Sequence, residues 1–225
     1  MKKNLTPEMI KQIKSFWRWF EQNETKIADG FLNHTLTNSV MENLNRKLGY
    51  VSKRVGIVMM GNKNKNKKIK LIFTAHGYTK LFPKVKGLIS NAPNLNNWEF
   101  QAFIQPEIEL EKYKNGIDKP FIFNEFEIKT SELYFSPLEF NTFKKNMKIV
   151  VYLRNYKCLI NHENLDEAIH IIIQNLIGEV SFKKSISFVQ LAQLPENPRN
   201  LIQLYELHEY IDFLNKINRR VKIEI

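Results

Sequence analysis

Apolar residues recur at helical spacing from the start of the chain. Met9, Ile10, Ile13, Phe16, Trp17 and Phe20 fall on one face of a helix predicted over Leu5 to about Asn23. Thr6, Pro7 and Glu8 supply an N-cap, a proline at the first helical position and an acidic first turn. Trp17 and Trp19 diverge around this helix, which puts one of them at the edge of the apolar face. A weaker helical pattern covers Ile27 to Leu48, with Gly49 as its expected stop.

The period then shortens. Arg54 to Met60 and Ile69 to Ala75 read as strands. The Asn/Lys-rich segment Gly61 to Lys68 joins them as an expected exposed hairpin loop. His76-Gly77 turns the chain into a helix over Thr79 to Asn91, which Ala92-Pro93 ends. Trp98 to Ile104 alternates as a half-buried strand does, and Pro106 to Asp118 is charged and irregular. Glu125 to Pro137 has strand character, and Lys148 to Leu153 is the clearest strand. Asn164 is the expected N-cap of a helix over Leu165 to Ile177, with Asp166 and Glu167 in its first turn and Gly178 closing it. A strand over Ile186 to Leu194 and a helix over Leu201 to Asn218 complete the pattern.

Two strand–helix–strand units stand out in this order, Ile69–Ile104 and Lys148–Leu194, with negligible sequence identity between them. They predict an α+β fold with a mixed or antiparallel sheet of about five to seven strands. Helices lie mainly on one face of that sheet, and further helices stand at the N- and C-termini. The expected organisation is a single α+β domain over 1–225. Its helical segment 1–50 packs on a sheet and helix core at 51–218, and 219–225 form a basic tail.

Composition supports a folded chain. Of 225 residues, 43% are hydrophobic and 12% aromatic, enough to fill a core and to exclude extensive disorder. The net charge of +11 is uneven: residues 1–93 carry 18 Lys/Arg against 5 Asp/Glu, and 94–225 carry 16 against 18. Such asymmetry favours a polyanion or an acidic protein surface as partner. Joint Lys and Asn enrichment is equally what an AT-rich genome produces. The single cysteine, Cys158, forms no internal disulfide, and no secretory apolar segment opens the chain, so a cytoplasmic location is expected. No apolar run approaches the roughly 18 residues of a membrane span, and no membrane partner is expected.

Several constellations carry candidate chemistry. Lys63, Lys65, Lys67, Lys68 and Lys70 form the densest basic cluster, and Lys11, Lys14 and Arg18 add cations beside Trp17 and Trp19. Cations interleaved with aromatics suit phosphates and unstacked bases. A solvated hairpin tip explains the same loop without a ligand. His76 and Gly77 sit where a strand hands over to a helix, a common ligand position, although no Gly-rich phosphate loop accompanies them. Asp166 and His170 share a helical face, but two ligands hold no zinc without a third, and His162-Glu163 has the same deficit. Glu107, Glu109 and Glu111 would share one face of an extended edge strand. No motif surrounds Cys158. No catalytic residue, metal site or cofactor is therefore expected.

The segment Leu71-Ile72-Phe73-Thr74-Ala75-His76-Gly77, then Leu81-Phe82-Pro83-Lys84-Val85, Ala92-Pro93 and Trp98, resembles an uncharacterised family of bacterial proteins. Phe16-Trp17-Arg18-Trp19-Phe20, Leu176-Ile177-Gly178-Glu179 and Leu194-Pro195-Glu196-Asn197-Pro198 fit the same pattern, so the resemblance spans roughly Phe16 to Leu214. An acidic residue is common where His76 stands here. The resemblance implies the fold but no activity. The function expected is that of a non-enzymatic protein-binding or regulatory module, with another protein as partner and homo-oligomerisation left open. The alternatives are a nucleic-acid-associated protein that uses the basic N-terminal part, and an immunity-type protein that neutralises a toxin.

Overall fold

The computed structural model describes residues 5–33, 38–61, 68–123, 126–143 and 145–221. The chain divides into two compact units, Met1–Ile104 and Gln105–Ile225.

The first unit opens with α1 (Pro7–Leu32), which the Thr6 hydroxyl caps by accepting the Met9 amide at 3.3 Å. The helix outruns its expected end near Asn23 because Ile27 and Ala28 carry the buried face of Phe16 and Phe20 onward. α2 (Asn38–Val51) follows, and Gly49 lies inside it rather than at its stop. Buried Leu44, Leu48 and Val51 keep that helix seated on the core through its last turn. The Lys84 ammonium donates to the Val51 carbonyl at 3.4 Å, a cation at the negative end of the helix.

β1 (Gly56–Met60) and β2 (Ile69–Thr74) pair antiparallel with Met60 opposite Lys70, so the Asn/Lys segment does join a hairpin. α3 (Phe82–Ser90) crosses over to β3 (Trp98–Ala102), which lies parallel to β2 and gives the order β1-β2-β3. Leu71 and Phe73 point from β2 into a core built with α1, α2 and α3. The Phe73 ring meets Phe16 and Trp17 edge-on at 5.9 and 5.6 Å. Two indoles find acceptors: Trp17 donates to the Leu88 carbonyl at 2.8 Å, and Trp98 to Glu24 Oε2 at 2.7 Å. Trp19 is the partly buried tryptophan at the edge of the face.

The second unit begins with an irregular stretch, the single turn α4 (Glu111–Lys114) and the hairpin β4 (Phe121–Phe123) and β5 (Phe126–Ile128). β6 (Tyr134–Asn141) and β7 (Asn146–Leu153) pair antiparallel, with an irregularity between Pro137 and Glu139 where Leu138 falls outside the register. The short α5 (Tyr156–Leu159), then α6 (Leu165–Ile177) and α7 (Glu179–Ser185), lead to β8 (Ile186–Gln193), parallel to β7. β9 (Ile202–Gln203) adds to the far side of β6, giving the order β8-β7-β6-β9. α8 (Leu207–Val221) starts later than the expected Leu201 because β9 and a 3₁₀ turn at Leu204–Glu206 come first. Asn164 does stand at the N-cap of α6, but its side chain makes no capping bond. Phe135, Ile149 and Val151 face Ile169, Ile173 and Ile211 in the core.

The class is α+β, with mixed and antiparallel pairing and helices at both termini. Both strand–helix–strand units form, each as a parallel pair beside an antiparallel neighbour. In place of one sheet of five to seven strands, the described residues form sheets of three, two and four strands. Phe103 ends β3 with a φ of 63°, a left-handed turn that takes the chain off the first sheet. No helix of the described residues is long and apolar enough to cross a membrane.

Phe73 is fully buried under two aromatic rings, whereas Met60 is 56% exposed. Phe73→Ala is expected to cost about 3–5 kcal/mol in urea denaturation. Met60→Ala is expected to stay within about 0.5 kcal/mol. Equal losses would contradict this placement of the core.

Candidate functional site

The basic residues singled out by the sequence fall only in part among the described residues. Lys63, Lys65 and Lys67 lie outside those residues, and Lys68 is exposed. Lys70 is committed to a cross-strand pair with Glu99 at 3.3 Å. Lys11, Lys14 and Arg18 line the exposed side of α1, opposite Ile13, Phe16, Trp17 and Phe20. Trp17 offers no stacking face, because its ring is in the core.

His76 and Gly77 form a tight turn. Both have positive φ, 48° and 71°, and the Tyr78 amide closes the turn on the Ala75 carbonyl at 2.8 Å. The His76 amide donates to Thr74 Oγ1 at 3.0 Å. Its imidazole lies so close to Gly56 that a Cβ there would overlap the ring. This histidine shapes the strand-to-helix corner and holds a glycine in β1.

Asp166 and His170 lie one turn apart on α6, as the spacing implies. Half-burial against Phe182, at 5.4 Å between rings, holds the His170 pKa below the ordinary value, and attraction to Asp166 only partly opposes it. His162 packs edge-on against Phe126 at 4.6 Å and accepts the Asn164 amide at 3.4 Å. No group of three His, Cys, Asp or Glu among the described residues could hold a metal ion. The three glutamates do not share the face of an edge strand. Glu107 folds back to accept the Ile108 and Glu109 amides at 3.0 and 3.2 Å, and Glu111 pairs with Lys114. Local carboxylate-to-amide bonds win over extension in this stretch. Cys158 is exposed on α5.

A cleft in the second unit has no counterpart in the sequence reading. It holds about 470 Å³ and is lined by Lys112, Tyr113 and residues 117–121, with Thr130 and with Ile172 and Asn175 of α6. Local bonds build its wall. Gly116, with a φ of 64°, reverses the chain after α4, and Ile117 donates to the Lys112 carbonyl at 2.9 Å. The Lys129 ammonium holds the Gly116 carbonyl at 2.5 Å. The Glu107 amide donates to the Asn175 carbonyl at 2.7 Å and ties the loop to α6.

Electrostatics within the wall are uneven. Lys112 pairs with Glu107 at 2.5 Å and lies over the Tyr113 ring at 4.9 Å. Burial works against the charge on each partner. Their mutual bond and attraction, joined at Glu107 by the Ile108 and Glu109 amides and at Lys112 by Tyr113, together outweigh it, holding Glu107 below the usual carboxylate range and Lys112 above the usual ammonium value. Burial also pushes the Tyr113 phenol up. Asp118 is 6% exposed; its Oδ2 accepts the Ser131 amide at 3.2 Å, but Oδ1 has no hydrogen-bond partner. The residues of this wall run from 112 to 175 with no motif spacing, so only the fold brings them together.

His170 yields a pH dependence with a definite sign. The unfolded chain takes up the proton first, so stability falls as pH drops below the ordinary histidine range. His170→Phe is expected to flatten this loss between about pH 7.5 and about pH 5, as read by denaturation midpoints. An unchanged slope would show that other groups carry it.

Comparison of the chain with models of protein families, with curated proteins and with solved structures found no match.

Proposed function

We propose that the chain is a non-enzymatic module that works by binding another protein, with β8 as the contact element. One observation carries this reading. β8 is eight residues long, lies at the edge of its sheet and pairs as a strand with β7 alone among the described residues. An open strand of that length presents backbone donors and acceptors to an incoming chain. Phe188 is 52% exposed on it, and Gln190 is exposed two positions on, on the same face. Neither carries the charge with which edge strands commonly discourage pairing.

The charge map supports a division of labour. Met1–Ile104 holds 18 Lys/Arg against 6 Asp/Glu, whereas Gln105–Ile225 holds 16 against 17. The edge strand thus belongs to the nearly neutral unit, where a protein partner meets little net repulsion.

Tagged chain recovered from its native cells, with nuclease treatment and at low and high salt, tests the reading. A stoichiometric protein that withstands both treatments is expected, and Phe188→Lys with Gln190→Lys is expected to release it without altering the fold. Nucleic acid captured only at low salt, and lost in Lys11→Gln, Lys14→Gln and Arg18→Gln, would replace this reading with the basic one.

A further inference from the structure

The cleft of the second unit contains opposite charges that the described residues leave uncompensated. Asp118 lies in its wall with one carboxylate oxygen sealed from solvent and lacking any donor. A buried carboxylate is costly unless a counter-charge or a full set of donors meets it. Lys112 does not serve, because Glu107 already holds it. Lys119, also in the wall, has no carboxylate within ion-pair distance among the described residues. With the Lys112–Glu107 pair self-neutralised, the wall balances one negative against one positive charge. A ligand complementary to it has the same balance.

The remaining lining fixes the rest of that ligand. Tyr113, Pro120, Phe121 and Ile172 offer apolar surface, while Thr130 and Asn175 add uncharged polar groups. A volume of about 470 Å³ falls inside the range of about 300–1,000 Å³ typical of small-molecule sites. Apolar walls with a few placed polar groups are the usual build of such sites.

We infer that this cleft binds a small zwitterion with an apolar body, of the class of a free amino acid or a dipeptide. Its ammonium group meets Asp118 and its carboxylate meets Lys119. Asp118 lines the cleft, so its carboxylate is the acceptor placed to meet the ligand's ammonium group. The site is separate from β8, and it stands or falls independently of the protein-binding reading.

Isothermal titration of the full chain with four probes tests this inference: L-phenylalanine, glycyl-L-phenylalanine, phenethylamine and hydrocinnamate. The two zwitterions are expected to saturate and to bind at least about tenfold tighter than the amine or the acid alone. Lys119→Gln, a change at an exposed side chain that leaves the core intact, is expected to weaken phenylalanine about tenfold and leave phenethylamine unchanged. Asp118→Asn is expected to weaken phenylalanine similarly and leave hydrocinnamate unchanged. No saturable heat with any probe up to roughly 10 mM would overturn the inference. So would zwitterion binding that Lys119→Gln leaves intact.

Discussion

Each unit depends on a central strand that is hydrogen-bonded along both edges. β2 pairs antiparallel with β1 on one side and parallel with β3 on the other; β7 does the same between β6 and β8. A strand in that position leaves no backbone group of its interior unpaired, so its side chains can be apolar on the core face without cost to the ladder. Leu71 and Phe73 in one unit, and Ile149 and Val151 in the other, use that freedom and are fully buried. The helices then need only one apolar face each. α1 brings Phe16 to Phe73 of β2 and Phe20 to Trp98 of β3, and α6 brings Ile169 and Ile173 into the core with β7.

Much of this was legible in the sequence because burial imposes a period. Lys148 to Leu153 and Leu165 to Ile177 read as a strand and a helix almost to the residue, since nearly every core position in them is aliphatic. Asn23, Glu24 and Thr25 interrupt the apolar face that marks α1 in the sequence, although that face resumes at Ile27. Gly49 looked like a stop, but packing by Leu48 and Val51 outweighs the propensity of one glycine. The partition of strands among three sheets was not legible. Pairing depends on where a turn such as that at Phe103 redirects the chain, and an aromatic residue carries no signal for a left-handed backbone.

The candidate sites follow the same division. His76-Gly77 was visible because a strand handing over to a helix through a glycine is a local event, and the turn found there is local too. The cleft around Asp118 is not local. Its wall joins a loop near residue 118, a 3₁₀ turn near 130 and a helix near 175, and no spacing rule links those positions. Asp118 itself lies in a charged stretch where an exposed carboxylate would be ordinary. Only its burial sets it apart.

The two parallel pairings also set an order of events during folding. Each hairpin joins strands adjacent in the chain, with Met60 opposite Lys70 and Asn141 opposite Asn146. The parallel partners are far more distant, Ile69 with Trp98 and Val150 with Gln190. Loop-closure entropy grows with separation, so hairpins close early and parallel strands dock after their crossover helices. β8 closes the wider of these two loops and docks after the β6–β7 hairpin has formed. Until it does, the edge of β7 is a vacant docking position, and the nascent chain is most open to mispairing while the segment up to Gln193 is still being made.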